Sequence, residues 1–318
     1  MNIQNLNLKI GDYTLHSVPT GQFKLDGGAM FGTVPKVLWE RTNPTDDQNR
    51  ILMEARALLL KSKDRIILID NGNGSDFRFK YGEAAGEKFE QIYGVSTSAE
   101  SEKKSNLELN STSNSLTTAE PITLFTSLKK LGLKTSDITD VILTHLHFDH
   151  AGGSTCERNN KLVPTFENAT YYVQKENLDT ALNPNRREKA SYLKQNFQPL
   201  IDNKCLKLLD GETELFDGIY LSLTFGHTQA QQNVKITDQT NTLFYCADLI
   251  PTATHTKLAW VMGYDLNPLK IIEEKEVILT QAANNNWHLF FEHDPYCDAA
   301  QVKFNGKDFE VTQKFKLN

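Results

Sequence analysis

The sequence lacks several features that would place it in a special class of protein. It has only four cysteines in 318 residues, and they are far apart: Cys156, Cys205, Cys246 and Cys297. No Cys-x-x-Cys pair is present, which argues against a disulfide framework and favours buried or reduced thiols. No run reaches the roughly 18 apolar residues that a membrane-spanning helix needs, so we expect no membrane partner.

The charge of the chain argues against a nucleic-acid-binding protein. The net charge is -6, and lysine and arginine do not cluster into the basic stripe that would meet the phosphates of a nucleic acid. The first eight residues contain neither a basic stretch nor an unbroken apolar run, so nothing in them resembles a secretory signal. We therefore expect a cytoplasmic protein. With 39% hydrophobic residues, the chain can bury a large core, and we expect a single domain over residues 1–318.

The most informative segment covers residues 144–153, directly after the apolar run 140–143. Within six residues it places three imidazoles and one carboxylate: His145, His147, Asp149 and His150. These are donor types that zinc favours, and the His-x-His pair presents two of them from one short segment. Asp149 and His150 point elsewhere from the same turn and can serve a second ion. We expect the glycines that follow, Gly152 and Gly153, to keep the backbone beside the ions free of side chains.

Three scattered residues have the same relation to apolar runs. His227, Asp248 and His293 each come at the end of a segment that reads as a buried strand. A lone histidine or aspartate at such a position is more often a structural residue than a ligand. Together with the first motif, which follows the run 140–143, they make four successive cases in one chain, and this favours a metal site built at the ends of strands.

The pattern H-x-H-x-D-H, followed by H, D and H, resembles the metallo-β-lactamase superfamily over nearly the whole chain. The resemblance implies an α/β fold, a four-layer αββα sandwich with two facing mixed β-sheets and helices outside. It implies two divalent ions, for which zinc is the favoured metal, although manganese, cobalt, nickel or iron suit the same donors. The first ion would be held by His145, His147 and His227, the second by Asp149, His150 and His293, with Asp248 bridging both.

Residues 65–72 match a strand and turn of that family that carry an acid near the ligands. We interpret Asp70 as the partner that orients a ligand imidazole through its other N–H. The alternative is a plain turn former ahead of Asn71 and Gly72. Cys246 lies two residues before Asp248, and packing is its expected role, with an extra ligand as the alternative.

The resemblance implies hydrolysis of an ester-like bond by a hydroxide that bridges the ions, with Asp149 and Asp248 as catalytic residues. Asp149 is also a candidate for orienting the hydroxide or moving its proton. Segments 25–32, with Trp39, and 255–265 resemble the quorum-quenching lactonase and methyl-parathion-hydrolase branch. This favours an N-acyl-homoserine lactone or a similar lactone as substrate, with His255 touching the substrate or supporting a ligand. Ordinary core packing is the alternative for both segments.

One departure concerns the leaving group. Some N-acyl-homoserine lactonases have a tyrosine three residues after the bridging acid, where this chain has Pro251. Tyr264 is the candidate to replace it. Phosphotriester and thioester hydrolysis therefore stay open, as does a non-hydrolytic redox or scaffold protein. The redox type typically has glutamate at the place of His147, and the complete ligand set opposes a scaffold.

The rest of the chain predicts alternating strands and helices. We expect a strand pair at 57–60 and 66–69, a helix over 83–93 and a helix that starts near Pro121 and ends at Gly132. A further strand at 170–173, a helix over 176–197 and a hairpin over 301–311 follow. Residues 96–118 are rich in serine and threonine and form either a lid or a solvated insertion. The apolar loop 28–31 is a candidate contact for a homodimer.

Overall fold

The computed structural model describes residues 2–95 and 122–318, so the predicted insertion at 96–118 lies outside the described residues. The strands are β1 (Ile3–Leu6), β2 (Leu8–Ile10), β3 (Tyr13–Asp26), β4 (Arg50–Lys61), β5 (Ile66–Ile69), β6 (Asp140–Ile142), β7 (Thr155–Arg158), β8 (Lys161–Pro164), β9 (Thr170–Gln174), β10 (Leu206–Leu209), β11 (Thr213–Phe216), β12 (Ile219–Thr224), β13 (Gln231–Thr237), β14 (Thr242–Tyr245), β15 (His288–Phe290), β16 (Ala299–Phe304) and β17 (Phe309–Leu317).

The helices are α1 (Gly27–Phe31), α2 (Lys36–Trp39), α3 (Phe77–Tyr81), α4 (Glu83–Tyr93), α5 (Leu124–Lys130), α6 (Phe148–Ala151), α7 (Lys175–Leu182), α8 (Gln198–Asp202) and α9 (Pro268–Asn285). None of those in residues 2–95 and 122–318 combines the length and the apolar character that crossing a bilayer requires. The predicted helix over 83–93 is confirmed as α4.

The strands form two large mixed sheets. One has eight strands in the order β1-β17-β16-β15-β14-β13-β12-β11, and the other has seven in the order β10-β9-β6-β5-β4-β3-β2. The predicted strand pair is confirmed, because Leu58 in β4 pairs with Ile69 in β5 in antiparallel fashion. Strand β4 is longer than predicted and pairs with β3 along its whole length.

The two sheets face each other across a shared core. Leu58 and Leu60 of β4 pack in one cluster with Val234 of β13 and Leu243 of β14. Because successive side chains of a strand point to opposite faces, Leu59 lies instead in a cluster with the helices on the outer face of the seven-stranded sheet. Helix α9 covers the outer face of the other sheet. The predicted four-layer αββα sandwich is confirmed.

Three predicted elements differ in extent. The helix over 176–197 is wrong in length, since α7 ends at Leu182; Pro184 lacks an amide hydrogen and restricts the residue before it. Helix α5 begins after Thr123, whose side chain accepts a hydrogen bond from the amide of Thr126. The C-terminal hairpin is confirmed as β16 and β17, but its loop spans 305–308 and is closed by the Asn305 side chain.

Candidate metal centre

Every predicted ligand stands just beyond a strand, at one edge of the two facing sheets. The first motif follows β6 of the seven-stranded sheet and continues into α6. The other three come from the eight-stranded sheet: His227 after β12, Asp248 after β14 and His293 after β15. In each of these three cases a short turn separates the strand from the ligand. Loops from both sheets therefore build the site.

The first group of donor atoms comes from His145, His147, His227 and Asp248. Nδ1 of His147 lies 3.0 Å from Nε2 of His145 and 3.2 Å from Nε2 of His227. Nε2 of His227 lies 3.0 Å from Oδ2 of Asp248. Donors of a tetrahedral zinc site are about 3.3 Å apart, given bonds of about 2.0 Å. The four side chains therefore converge with a spacing that suits one ion.

The second group contains Asp149, His150 and His293. Nε2 of His293 lies 3.2 Å from Nε2 of His150 and 3.6 Å from Oδ2 of Asp149. Oδ1 of Asp248 faces this group, 3.4 Å from Nε2 of His150 and 3.3 Å from Nε2 of His293. The two oxygens of Asp248 thus face different groups.

The outward nitrogens of the imidazoles have partners of their own. Nδ1 of His227 lies 3.0 Å from Oδ1 of Asp265, and Nδ1 of His293 lies 2.9 Å from the carbonyl oxygen of Glu54. Nδ1 of His145 lies 3.1 Å from the hydroxyl of Thr144. Such contacts fix the tautomer and the ring orientation, and they leave Nε2 free to face an ion.

His150 has two carboxylates at its outward nitrogen. Nδ1 lies 3.1 Å from Oδ2 of Asp70 and 2.8 Å from Oε2 of Glu292. Asp70 also accepts hydrogen bonds from the amide and the hydroxyl of Thr144, both at 2.7 Å. The structure therefore places Asp70 beside the imidazole of a predicted ligand and adds Glu292, which sequence reasoning missed.

The imidazoles of the site fall into two groups by the direction of their pKa shifts. Burial, together with the neighbouring imidazoles, holds the pKa of His145 well below its usual value. Although burial opposes it, the neighbouring carboxylates raise the pKa of His150 well above its usual value, that of His227 to about 10 and that of His293 to about 9. Burial raises the pKa of Glu292 to about 8 and also raises the pKa of Asp265. Within residues 2–95 and 122–318, no lysine or arginine forms an ion pair with Asp70, Asp248, Asp265 or Glu292. Buried carboxylates need compensating charge, which divalent ions would provide.

Five of the predicted ligands line a cleft with a volume of about 220 Å³, namely His147, Asp149, His227, Asp248 and His293. The lining includes apolar and aromatic side chains, namely Leu25, Met30, Tyr93, Phe148 and Met262. It also includes polar side chains, namely Arg187, Glu188, Ser191 and Tyr264. Tyr264 lines this cleft with 40% of its surface exposed. Tyr93, Arg187 and Glu188 had no motif that could have revealed them.

His255 is not brought into the cleft. Its Nδ1 lies 2.7 Å from the hydroxyl of Thr252, and its Nε2 lies 2.8 Å from the carbonyl oxygen of Met30. The ring stacks on Phe31 with centroids 4.7 Å apart, and burial lowers its pKa to about 3. Contact with a substrate is therefore not supported, because both nitrogens are occupied; His255 instead holds the helix that carries Met30.

The structure also bears on two other expectations, of which one changes and one is supported. Residues 28–31 belong to α1 rather than to an exposed apolar loop, and Met30 and Phe31 are buried, so they offer no apolar surface for a homodimer contact. Cys246 lies in the core beside Phe244, and its thiol lies 3.6 Å from the carbonyl oxygen of that residue. Its side chain belongs to neither donor group, which supports packing as its role.

The family model described as the metallo-beta-lactamase superfamily matches residues 54–283. The chain belongs to this superfamily. A stretch of 113 residues is 31% identical to an N-acyl homoserine lactonase from Bacillus cereus and covers 36% of this chain and 38% of that protein. The chain thus matches less than half the length of that relative.

Solved structures extend the comparison over the whole fold. A Staphylococcus aureus protein described as a "probable metal-dependent hydrolase" superposes with a TM-score of 0.78 and 27% identity, covering 96% of this chain and 98% of that one. AidC, described as a dizinc quorum-quenching lactonase, superposes with a TM-score of 0.72 and 21% identity, covering 99% of each chain. At that identity the second match shows the fold alone.

Proposed function

We propose that this protein is a dinuclear metal-dependent hydrolase that opens lactones or related esters, with an N-acyl-homoserine lactone as the favoured substrate. The observation that carries the proposal is the position of Asp248. Its two oxygens face two separate groups of converging donors, members of which line one cleft.

The residues present fit two divalent ions. His145, His147 and His227 would hold one, while Asp149, His150 and His293 would hold the other, and Asp248 would contact both. Zinc is the proposed metal, supported by the donor types and by AidC, which is described as dizinc. When bound, two such ions supply a water of lowered pKa and polarise the carbonyl of an ester.

The chain's own side chains would position the substrate. The apolar side chains of Leu25, Met30 and Met262 in the cleft lining would contact an acyl chain, and the polar side chains of the lining would face the lactone ring. Asp149 lines the cleft, where its carboxylate would orient the attacking water and accept its proton. The similarity to N-acyl homoserine lactonases supports the same substrate class.

Departure of the leaving oxygen requires a proton, and Pro251 has no side chain to supply one. It is buried, and its carbonyl oxygen accepts a hydrogen bond from the amide of His293. Tyr264 lies in the cleft lining, and burial raises the pKa of its phenol, so it would stay protonated at neutral pH. We assign it the role of proton donor to the leaving oxygen.

Two broader expectations belong to the proposal. A cytoplasmic location is supported by the four free cysteines, since thiols persist in reducing compartments. A single domain is supported by the core that the two sheets share.

The test compares initial rates on an N-acyl-homoserine lactone, a phosphotriester and an acyl thioester. The proteins are the metal-loaded wild type, the metal-free wild type and Asp248→Asn. We expect the lactone to dominate and both controls to lose the rate. A dominant phosphotriester or thioester rate would reassign the substrate, and a lactone rate that survives both metal removal and Asp248→Asn would overturn the metal mechanism.

A further inference from the structure

Glu292 is a buried carboxylate whose role the ligand set does not explain. It is fully buried, and its Oε2 lies 2.8 Å from Nδ1 of His150. The phenol of Tyr245 donates a hydrogen bond to the same oxygen, also at 2.8 Å. The other oxygen, Oε1, has no hydrogen-bond partner among the described residues. A carboxylate in this position is costly unless a positive charge lies near it.

The one N–H that the His150 imidazole would donate already has an acceptor, Asp70. An imidazole that holds an ion through Nε2 has one N–H left, on Nδ1, and Asp70 accepts it at 3.1 Å. Glu292 approaches the same nitrogen at ion-pair distance. With a cation bound through Nε2 of this ring, the Glu292 carboxylate would be ionised and would add a negative charge beside the ring, in addition to the acceptor that Asp70 provides.

This charge lies next to one ligand group only. Among the residues proposed as ligands, the Glu292 side chain has a polar contact with His150 and with none of the first group. The carboxylates near the first group are different ones: Asp265 at His227 and Glu188, 3.7 Å from Nε2 of His147. A substitution at Glu292 should therefore change the affinities of the two ions unequally.

We propose that Glu292, held in place by Tyr245, is a positioning residue that strengthens ion binding by the Asp149, His150 and His293 group. It acts through the His150 imidazole, which becomes a better donor when a negative charge lies behind it. This inference rests on the proposed two-ion site but not on the lactone substrate.

The test is a titration of the metal-free full-length protein with Zn²⁺ in the presence of a competing chromophoric chelator, which yields two dissociation constants. Glu292→Gln keeps the size and removes the charge. We expect one constant to weaken by about tenfold and the other to stay within about twofold. Tyr245→Phe should weaken the same constant by a smaller factor.

Glu90→Gln is the matched control. Glu90 is also buried and has one oxygen without a hydrogen-bond partner among the described residues, but its carboxylate accepts a hydrogen bond from Arg78 instead of meeting an imidazole. We expect both of its constants to match the wild type. A His293→Ala background assigns the affected site, since Glu292→Gln should leave the one remaining constant unchanged there.

The outcomes separate clearly. Equal weakening of both constants, no weakening, or an effect that persists in the His293→Ala background would overturn the role of Glu292. A wild-type stoichiometry of one ion would contradict the two-ion site itself. Thermal unfolding of the metal-free variants shows whether each remains folded. If the wild type binds two ions but does not hydrolyse lactones, only the proposed substrate would be overturned.

Discussion

Asp265 joins a proposed metal ligand to the lining of the cleft. Its Oδ1 lies 3.0 Å from Nδ1 of His227, while its Oδ2 accepts a hydrogen bond from the amide of Met262 at 2.8 Å. One carboxylate thus sets both the orientation of an imidazole and the position of an apolar side chain that would contact the substrate.

Replacing Asp265 with asparagine should weaken the ion held by the first group. The amide removes the negative charge behind His227, and loss of such a partner typically weakens metal binding by 10-fold or more. Metal content after dialysis against a chelator measures this. Asp308→Asn is the control, because Asp308 binds the backbone of the neighbouring loop at the amide of Leu258. Equal metal retention by both variants would contradict the prediction.

Tyr264→Phe should slow lactone opening while sparing esters with good leaving groups. An alkoxide needs a proton as it departs, whereas a nitrophenolate does not, and loss of a general acid costs about 100-fold or more. The measurement is kcat on a lactone and on a nitrophenyl ester. Tyr93→Phe serves as the comparison, since Tyr93 also lines the cleft. A similar fall on both esters would argue against proton donation.

Met262→Ala should raise KM for lactones with long acyl chains and leave short ones nearly unchanged. The substitution removes apolar contact worth about 0.8 kcal/mol for each methylene buried, or roughly tenfold in affinity for two. KM across a series of chain lengths provides the measurement. A uniform change over the series would place the acyl chain elsewhere.

Lys275 predicts a pH dependence of stability. Its ammonium group lies within hydrogen-bond distance of the carbonyl oxygens of Lys257, Leu258 and Trp260, and burial lowers its pKa from 10.5 to about 7. Between these values the unfolded chain binds more protons than the folded one, so the free energy of unfolding rises with pH.

The comparison with Lys275→Met isolates this effect. The free energy of unfolding of the wild type, relative to that of the variant, should rise between pH 7 and 10 by up to about 1.4 kcal/mol per pH unit. Urea unfolding of both metal-free proteins provides the measurement. Parallel curves over this range would show that Lys275 keeps its proton.

The proposed ligands could be located in the sequence because each has a local signal: a histidine or an aspartate follows an apolar strand, and His145 to His150 form a dense motif. Partners such as Asp265 and Glu292 could not, because contact between residues far apart in sequence depends on how the sheets pack. Asp70 was accessible through the family resemblance and not through its own surroundings in the sequence.

Gly152 and Gly153 follow the motif, and the structure gives a different reason for glycine at these positions than the sequence suggested. A side chain on Gly152 would place its Cβ 2.1 Å from the carbonyl oxygen of Asn73, and one on Gly153 would lie 2.3 Å from that of Asn71. They are needed for backbone packing against the loop after β5, whereas the sequence suggested free space beside the ions. His255 likewise sits in a segment that lines the cleft but turns inward.

Part of the cleft lining comes from segments of the chain other than those that carry the proposed ligands. Leu25, Met30 and Tyr264 lie on segments that contribute no proposed ligand, and His255 supports one of those segments from behind. Substitutions of the Leu25, Met30 and Tyr264 side chains can therefore accumulate without removing any proposed ligand. The range of esters that fit the cleft can thus change while the proposed metal ligands stay the same. Laboratory selection for activity on new esters should therefore collect mutations at these lining positions first.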